Sequence, residues 1–258
     1  MARKLAIFNM KGGVAKTATA TNFAAGLRKF NKKRILLVDI DPQGTASASL
    51  GIEIWELKTQ LKDVLQSTPD ERQALLDAAI VQTASNVDVL PSNILLAVEE
   101  IALSGLPGRE NLLKRALEPL EDRYDCIAID CPPNIGVFSI NALKASDAVL
   151  VPVDMSYVGL LGVQGVEYAF NLVENYLEHK INLVGVLATR YDSRKNLHKD
   201  VLEALKQRFG ERMFKTVIPD AIKVAEAPSY STSIFEHAPK GAAAKAYRNL
   251  IKEVLKRW

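Results

Sequence analysis

The residues best suited to chemistry lie in a glycine-containing loop near the amino terminus. Residues 4–9 form an apolar candidate β-strand, the run Met10-Lys-Gly-Gly-Val-Ala-Lys-Thr17 follows, and a helical pattern begins directly after it. A strand, a loop and a helix in this order aim backbone N–H groups at one anion site. Gly12 and Gly13 allow the backbone to approach phosphate oxygens closely. The sequence therefore predicts a phosphate-binding loop.

Two side chains of this loop carry the main expected contacts with a nucleoside triphosphate. Lys16 is expected to hold the β- and γ-phosphates, and the Thr17 hydroxyl to ligate Mg²⁺. An isolated Gly-Gly pair before a helix is usually only a turn, but the order of strand, loop, Lys-Thr and helix favours nucleotide binding. The predicted nucleotide-binding residues of this loop are Lys11, Gly12, Gly13, Val14, Ala15, Lys16, Thr17 and Ala18.

Three aspartates stand at or just after the ends of apolar runs. Asp39 ends the run 34–39, Asp41 follows it, and Asp130 ends the run 126–130. The carboxyl ends of parallel strands lie on the ligand side of a doubly wound sheet. Asp39 and Asp41 have alternate spacing, so both can face the same side if the strand persists. Asp130 is expected to hold Mg²⁺ as a Walker B residue, although a buried strand that ends in a lone aspartate is common.

Short apolar runs alternate with longer helical patterns along the whole chain. This alternation predicts an α/β fold with a doubly wound, mostly parallel β-sheet flanked by helices. We expect one P-loop ATPase domain over residues 1–258, with no N-terminal helix-turn-helix domain. The candidate strands are 4–9, 34–39, 87–91, 126–130, 148–153, 183–189 and 216–218, and the clearest helical patterns are 17–30, 111–120, 162–177 and 197–209.

The string Lys11-Gly-Gly-Val-Ala-Lys-Thr17 resembles the deviant Walker A loop of the ParA/MinD family of ATPases. The resemblance extends over nearly the whole chain and favours the ParA/Soj branch over the MinD branch. At Ala15 and Ala18 the family usually has glycine and threonine. The other matching segments are 39–44, 124–141, 217–220, 224–228, 237–239 and 246–248.

The resemblance implies a role for each matched residue. Lys11 is the signature lysine, which reaches across a dimer to the phosphates of the partner subunit. Asp41 orients the attacking water and Asp39 lies near the Mg²⁺ shell, while Pro219 and Asp220 lie on the adenine side. The implied protein is an ATPase with weak intrinsic turnover that uses ATP and Mg²⁺ and forms a homodimer when ATP is bound, with Lys11, Lys16 and Asp41 as its catalytic residues.

Positive charge is concentrated in the last quarter of the chain. Residues 190–258 carry a net charge of +7, whereas residues 1–189 carry −4. Such asymmetry indicates a polyanionic partner, and the resemblance implies that this partner is non-specific DNA. Asp220 stands where the Soj group often has a basic residue, and Ser231-Thr232 where it often has Gly-Lys, which removes positive charge from a region associated with DNA contact. The candidate DNA contacts are Arg190, Arg194, Lys195, Lys199, Lys223, Lys245 and Arg248.

The resemblance further implies a positioning cycle in the cytoplasm. The ATP-bound dimer would bind nucleoid DNA, and a ParB-like or other adaptor on a chromosome, plasmid or protein cargo would stimulate hydrolysis. The sequence contains only two cysteines, too few for a disulfide framework, and no apolar stretch of membrane-spanning length. Both observations are typical of a cytoplasmic protein.

An alternative is a MinD-like ATPase that cycles on a membrane. The tail from Tyr247 to Trp258 places apolar residues at helical spacing with Arg and Lys on the rest of the wheel. A basic amphipathic helix can lie on anionic lipid. The other interpretation is a last helix packed on the core, and this interpretation is favoured, so a membrane partner is not expected.

Overall fold

The computed structural model describes all 258 residues, and an eight-stranded β-sheet forms its centre. The strand order is β3-β4-β2-β5-β1-β6-β7-β8, and only the β3–β4 pair is antiparallel. The strands are β1 Arg3–Ile7, β2 Ile35–Asp39, β3 Val81–Gln82, β4 Asp88–Leu90, β5 Cys126–Asp130, β6 Ala148–Asp154, β7 Leu183–Tyr191 and β8 Met213–Pro219.

Twelve α-helices connect and cover the strands. The first helix follows the phosphate-binding loop, and the last packs beside it. The helices are α1 Lys16–Asn31, α2 Thr45–Ser49, α3 Leu61–Leu65, α4 Pro69–Ala79, α5 Leu95–Ser104, α6 Leu112–Leu117, α7 Val137–Ala145, α8 Tyr157–Leu177, α9 Asn196–Phe209, α10 Ile222–Glu226, α11 Ile234–His237 and α12 Ala242–Arg257.

The sheet is buried on both faces. Along β1, Leu5 and Ile7 pack into one apolar cluster with helices α1 and α12, whereas Ala6 packs into a second cluster with helices α3 to α9. Successive side chains of a strand point to opposite faces, so the two clusters lie on opposite sides of the sheet. This arrangement explains why the strands are almost continuously apolar, and it confirms the predicted doubly wound α/β fold.

The strand order places the loops of interest at one edge. From β1 the chain first builds the sheet outward on one side through β2 and β4, and then returns to add β6, β7 and β8 on the other. Such a reversal opens a crevice at the carboxyl ends of the strands, where ligands bind in open α/β sheets. The loops that follow β1, β2 and β5 all leave from this edge because these strands are parallel neighbours.

Several predicted boundaries differ from the structure. The pair Val81–Gln82 forms a short antiparallel edge strand that is absent from the seven predicted strands. Helix α6 covers only Leu112–Leu117, because both ends of the predicted helix 111–120 lie in 3₁₀ turns, at 109–111 and 118–120. Helix α8 begins at Tyr157, five residues earlier than predicted, because the Ser156 hydroxyl accepts the Gly159 N–H at 2.9 Å and caps the helix.

The amphipathic tail packs against the core. In α12 the side chains of Tyr247, Leu250, Ile251 and Val254 are buried beneath the first helix and the sheet. Its apolar stripe is therefore covered by the protein itself, which favours the core interpretation of this segment. In none of the helices is there an apolar stretch long enough to cross a bilayer.

Candidate nucleotide site

A cavity of about 640 Å³ opens at the carboxyl edge of the sheet. This volume suits a drug-sized or nucleotide-sized ligand. The cavity brings together the loop after β1, the aspartate after β2, a proline after β5 and the end of β8. The predicted site residues that line it are Gly12, Gly13, Ala15, Lys16, Thr17, Ala18, Asp41, Pro219 and Asp220.

The phosphate-binding loop adopts left-handed backbone conformations at two residues. Gly13 has φ 77°, and Ala15, the residue before helix α1, has φ 64° and ψ 35°. Glycine reaches this region without strain, but an alanine Cβ approaches the following carbonyl oxygen. This explains why the standard motif has glycine at the position of Ala15. With alanine there, the chain retains the loop shape at some energetic cost.

Replacing Ala15 by glycine is expected to raise the free energy of unfolding by about 1 kcal/mol, because the left-handed strain is removed. Urea denaturation followed by circular dichroism measures this difference. Ala18→Gly is a matched control inside helix α1, where glycine should destabilise by about 1 kcal/mol. Equal losses of stability in both variants would contradict the strain at Ala15.

The loop is held from behind by two neighbouring elements. The Thr189 hydroxyl in β7 donates to the Val14 carbonyl at 3.0 Å, and the Val14 side chain is fully buried. Met10 leans on helix α8, where a Cβ on Gly165 would lie 2.8 Å from the Met10 Sδ. Val14 therefore belongs to the loop but faces the core and does not line the cavity.

Lys16 lies at the start of helix α1 and is 7% exposed. Its ammonium group donates to the Lys11 carbonyl at 3.0 Å, which curls the side chain over its own loop. Burial lowers the pKa of Lys16, and the neighbouring Asp130 carboxylate opposes that shift. A phosphate bound by the loop would satisfy this buried ammonium better than one carbonyl does.

The Lys11 side chain turns away from the cavity. Its ammonium pairs with Asp154 Oδ1 at 2.7 Å and donates to the Ser156 hydroxyl at 3.1 Å. Lys11 does not line the cavity of its own chain. Gly159 leaves room for this arrangement, because a Cβ there would lie 2.3 Å from the Asp154 carbonyl oxygen. The end of β6 and the first turn of α8 thus form a receptor for the lysine.

Asp39 and Asp130 form a buried acidic pair on neighbouring strands. They are register partners in β2 and β5, and both are fully buried. Ser47 donates its N–H and hydroxyl to Asp39 Oδ2 at 2.8 and 2.7 Å. Asp39 Oδ1 and both Asp130 oxygens have no hydrogen-bond partner. Burial raises the pKa of Asp39 to about 7, and burial with the charge of Asp39 raises the pKa of Asp130 well above its usual range.

These orphaned oxygens fit a divalent cation. Mg²⁺ prefers carboxylate oxygens and keeps several waters. Asp130, with its two unsatisfied oxygens, is the best candidate to hold the ion, either directly or through water; it does not itself line the cavity, but the neighbouring Thr17 does. One oxygen of Asp39 already accepts a hydrogen bond from Ser47, so Asp39 is a weaker candidate than Asp130 to hold the ion.

Asp41 lies at the cavity wall, but it does not continue the strand. Strand β2 ends at Asp39, so the condition for Asp39 and Asp41 to share a strand face is not met. Asp41 instead opens a turn in which its Oδ1 accepts the Gln43 N–H at 3.0 Å and its carbonyl accepts the Gly44 N–H. The two carboxyl groups are thereby separated into a buried one and a partly exposed one facing the cavity.

The candidate DNA contacts fall into three groups. Arg194, Lys195 and Lys199 are exposed around the start of α9, and Lys245 and Arg248 are exposed on α12. Arg194 is paired with Asp192, and the Arg248 guanidinium lies 4.6 Å from the centre of the Phe30 ring.

Arg190 and Lys223 form the third group, near the cavity. Arg190 has φ 54°, lies 3.9 Å from Asp220 Oδ1 and 3.4 Å from the Gly13 carbonyl oxygen, and lines the cavity. Lys223 pairs with Glu226 on α10. Arg190 therefore lies at the nucleotide cavity, a position that its sequence context did not reveal.

Sequence reasoning missed the partners of the predicted residues. Asp154 ends the apolar strand β6, so the rule that singled out Asp39 and Asp130 would have found it as well. Ser47 and Ser156 gave no comparable signal, because a serine in a short helix or before a helix is common. Their roles depend on which carboxylate or lysine the fold brings to them.

Comparison with protein families matches residues 2–183 to the model of an AAA domain. Among curated proteins, the chain is 42% identical over 254 residues to the sporulation initiation inhibitor protein Soj of Bacillus subtilis, covering 98% of each chain. It is 38% identical to the chromosome-partitioning ATPase Soj of Thermus thermophilus, covering 99% of this chain and 96% of that protein.

Two solved structures extend the likeness. One is a Mycobacterium smegmatis protein named cobyrinic acid a,c-diamide synthase, with bound ATP analogue and magnesium; it has a TM-score of 0.86 and 35% identity, and covers 100% of this chain and 96% of that chain. The other is the cell division ATPase MinD of Pyrococcus furiosus, with a TM-score of 0.78 and 23% identity over 99% of both chains. At that identity the second structure supports the fold alone.

Proposed function

We propose that this chain, which belongs to the ParA/MinD family of deviant Walker A ATPases and groups there with the Soj/ParA proteins, positions or segregates a cargo by an ATP-driven dimer cycle on DNA. ATP and Mg²⁺ are its cofactors, as bound nucleotide and magnesium in related structures indicate. The finer steps of the cycle are our inference from the site.

Dimer formation is supported by the direction of the Lys11 side chain. An ammonium group that pairs with Asp154 and does not line its own cavity cannot serve the phosphates of its own chain in this arrangement. A second copy facing the cavity would receive it at short range, where a lysine and a polyphosphate attract strongly. The nucleotide then lies between two subunits and stabilises their contact. This single observation carries the proposal.

Lys11→Ala is expected to remain monomeric with ATP while binding ATP within about twofold of the unmodified protein, because Lys11 makes no contact in its own cavity. Light scattering during gel filtration measures the mass, and fluorescence of a labelled ATP analogue measures the affinity. Lys62→Ala is the matched control, since both lysine side chains are 25% exposed and paired with an aspartate. An ATP-dependent dimer of Lys11→Ala would contradict the proposed role.

Within one subunit, different residues take different roles in ATP hydrolysis. Lys16 and the loop N–H groups bind the phosphates, and Asp41 accepts a proton from or orients the attacking water. Bound Mg²⁺ neutralises phosphate charge, and Asp130 with Thr17 would hold it. Asp41 is the only one of the three aspartates that is both partly exposed and at the cavity wall. The weak turnover expected of the unstimulated protein fits a site completed only in the dimer.

DNA binding is supported by charge without a base-reading element. The exposed basic groups around α9 and on α12 suit phosphate contacts, which are independent of sequence. Dimerisation doubles the number of such contacts, so affinity for DNA would follow the nucleotide state. We propose that the dimer associates with the nucleoid, and that a ParB-like or other adaptor on the cargo stimulates hydrolysis and release.

Co-sedimentation with DNA or with anionic vesicles separates the proposed function from a membrane cycle. ATP-dependent pelleting with DNA, reduced by salt, is the outcome that supports a partition ATPase. Pelleting with vesicles alone would support the MinD-like alternative, which requires α12 to leave the core where Tyr247 and Leu250 are now buried.

A further inference from the structure

Helix α5 and the residues just before it touch both loops that flank the nucleotide cavity. At one end, the Ser92 hydroxyl donates to the Asp41 carbonyl at 2.5 Å. The backbones of the two segments approach closely here: a Cβ on Gly44 would lie 2.6 Å from the Ser92 carbonyl oxygen. The turn that carries Asp41 therefore rests on the chain that leads into α5.

At the other end, Glu100 of α5 contacts the start of helix α7. Its Oε1 accepts the Val137 N–H at 3.1 Å. Gly136 precedes α7 and has no side chain to cap the helix. Glu100 supplies the acceptor that this position lacks, and its negative charge lies at the positive end of the helix dipole.

Gly136 makes room for the carboxylate. A Cβ at this residue would lie 2.3 Å from Glu100 Oε1 and 3.4 Å from the Asn134 side-chain oxygen. A side chain at residue 136 would therefore collide with the Glu100 carboxylate unless Glu100 moved away. The backbone before α7 and the carboxylate from α5 are matched to each other.

The segment that Glu100 fixes lies directly between Asp130 and α7. Pro133 in this segment lines the nucleotide cavity. On the α7 side, the Ser139 hydroxyl donates to the Asn134 carbonyl at 2.6 Å. Residues 131–136 are thus anchored by Asp130 at one end and by Ser139 and Glu100 at the other, so their position relative to the phosphates depends on both ends.

We infer that Glu100 is a positioning residue for ATP hydrolysis, which holds residues 131–136 against the phosphate site and, through α5, joins them to the turn that carries Asp41. This inference rests on the proposed ATPase function. Glu100 does not line the nucleotide cavity, so we expect it to act on the rate of the chemical step and to leave most of the binding energy of the nucleotide unchanged.

Three variants test this role. Glu100→Ala removes the acceptor, Glu100→Gln keeps a side-chain oxygen that can accept the Val137 N–H, and Glu99→Ala removes a carboxylate from the same helix that is instead bonded to Gln66. We expect Glu100→Ala to lower kcat by about fivefold or more, with nucleotide affinity changed less than about twofold. Glu100→Gln should restore kcat to within about twofold of the unmodified protein, and Glu99→Ala should not reduce it.

Hydrogen exchange gives a second readout without turnover. Amides of residues 134–140 should exchange faster in Glu100→Ala than in Glu99→Ala, both with and without nucleotide. The inference would be overturned if Glu100→Ala left both kcat and amide exchange unchanged. It would also be overturned if Glu100→Gln and Glu99→Ala lowered kcat as much as Glu100→Ala does. If the unmodified protein bound ATP but did not hydrolyse it, the proposed function would fail, and the exchange of residues 134–140 would still decide whether Glu100 positions this segment.

Discussion

Lys16→Ala is expected to abolish nucleotide binding, with a loss of affinity of about a hundredfold or more. A buried ammonium that makes two charge-assisted hydrogen bonds to phosphate oxygens contributes about 3 kcal/mol or more in total. Lys16 is 7% exposed at the cavity wall, and no other lysine lines the cavity. Isothermal titration with Mg·ATP measures the loss.

The fold of this variant must be checked, because Lys16 also places a positive charge near the buried Asp130 carboxyl. Lys16→Gln keeps most of the side-chain volume without the charge, and its thermal unfolding separates loss of binding from loss of structure. Lys29→Ala is a control on the same helix, at an exposed position outside the cavity. Folded Lys16→Gln protein that binds ATP as tightly as the control would contradict the assigned role of Lys16.

Asp41→Ala is expected to bind Mg·ATP and dimerise, but to hydrolyse ATP about a hundredfold or more slowly, because a general base contributes roughly 10²–10⁴-fold. Asp41 lines the cavity, whereas the Lys16 ammonium and the loop N–H groups proposed to bind phosphate remain in place. Phosphate release under saturating ATP measures turnover, and light scattering measures the dimer.

Asp41→Asn distinguishes catalysis from turn formation. An asparagine oxygen can still accept the Gln43 N–H that Asp41 accepts at 3.0 Å, so the turn should persist. Equally slow turnover in both variants supports a role for the carboxylate itself. Recovery of the rate in Asp41→Asn would show that Asp41 serves the turn rather than the attacking water.

The two variants should fail at different steps. Lys16→Ala should be a monomer without nucleotide, and Asp41→Ala a dimer with nucleotide. If both lost binding equally, the turn at Asp41 would be a structural part of the phosphate site. The structure places the Asp41 carbonyl, and not its carboxylate, on Ser92, so the side chain can change without removing that contact.

Much of the fold follows from local patterns in the sequence. The apolar runs that end at Asp39 and Asp130 are strands with these same last residues, because a parallel sheet buried on both faces demands continuous apolar strands. The short strand Val81–Gln82 was missed, because two residues carry no periodicity. The early start of α8 was missed because glycines at 159 and 162 weaken a helical pattern that the cap at Ser156 compensates.

The position of most loop residues at the cavity was predictable because strand, loop and helix are consecutive in the chain. Residues such as Asp154 and Glu100 were not, because their roles depend on contacts between positions 143 and 37 residues apart in sequence. Arg190 illustrates the same limit, since it belongs to the basic last quarter of the sequence while its guanidinium lies 3.4 Å from the Gly13 carbonyl oxygen of the loop after β1. Composition identifies a basic region but does not orient each side chain.

The buried pair Asp39 and Asp130 is expected to make the stability of the folded chain depend on pH and on a bound cation. Burial raises the pKa of Asp39 from 3.8 to about 7, so between these values the unfolded chain loses this proton while the folded chain keeps it, and the free energy of unfolding falls as the pH rises. A cation with bound ATP favours the folded form by mass action, by about 2.7 kcal/mol when its concentration is a hundred times its dissociation constant. The chain without bound nucleotide and cation should therefore unfold more readily than the loaded chain.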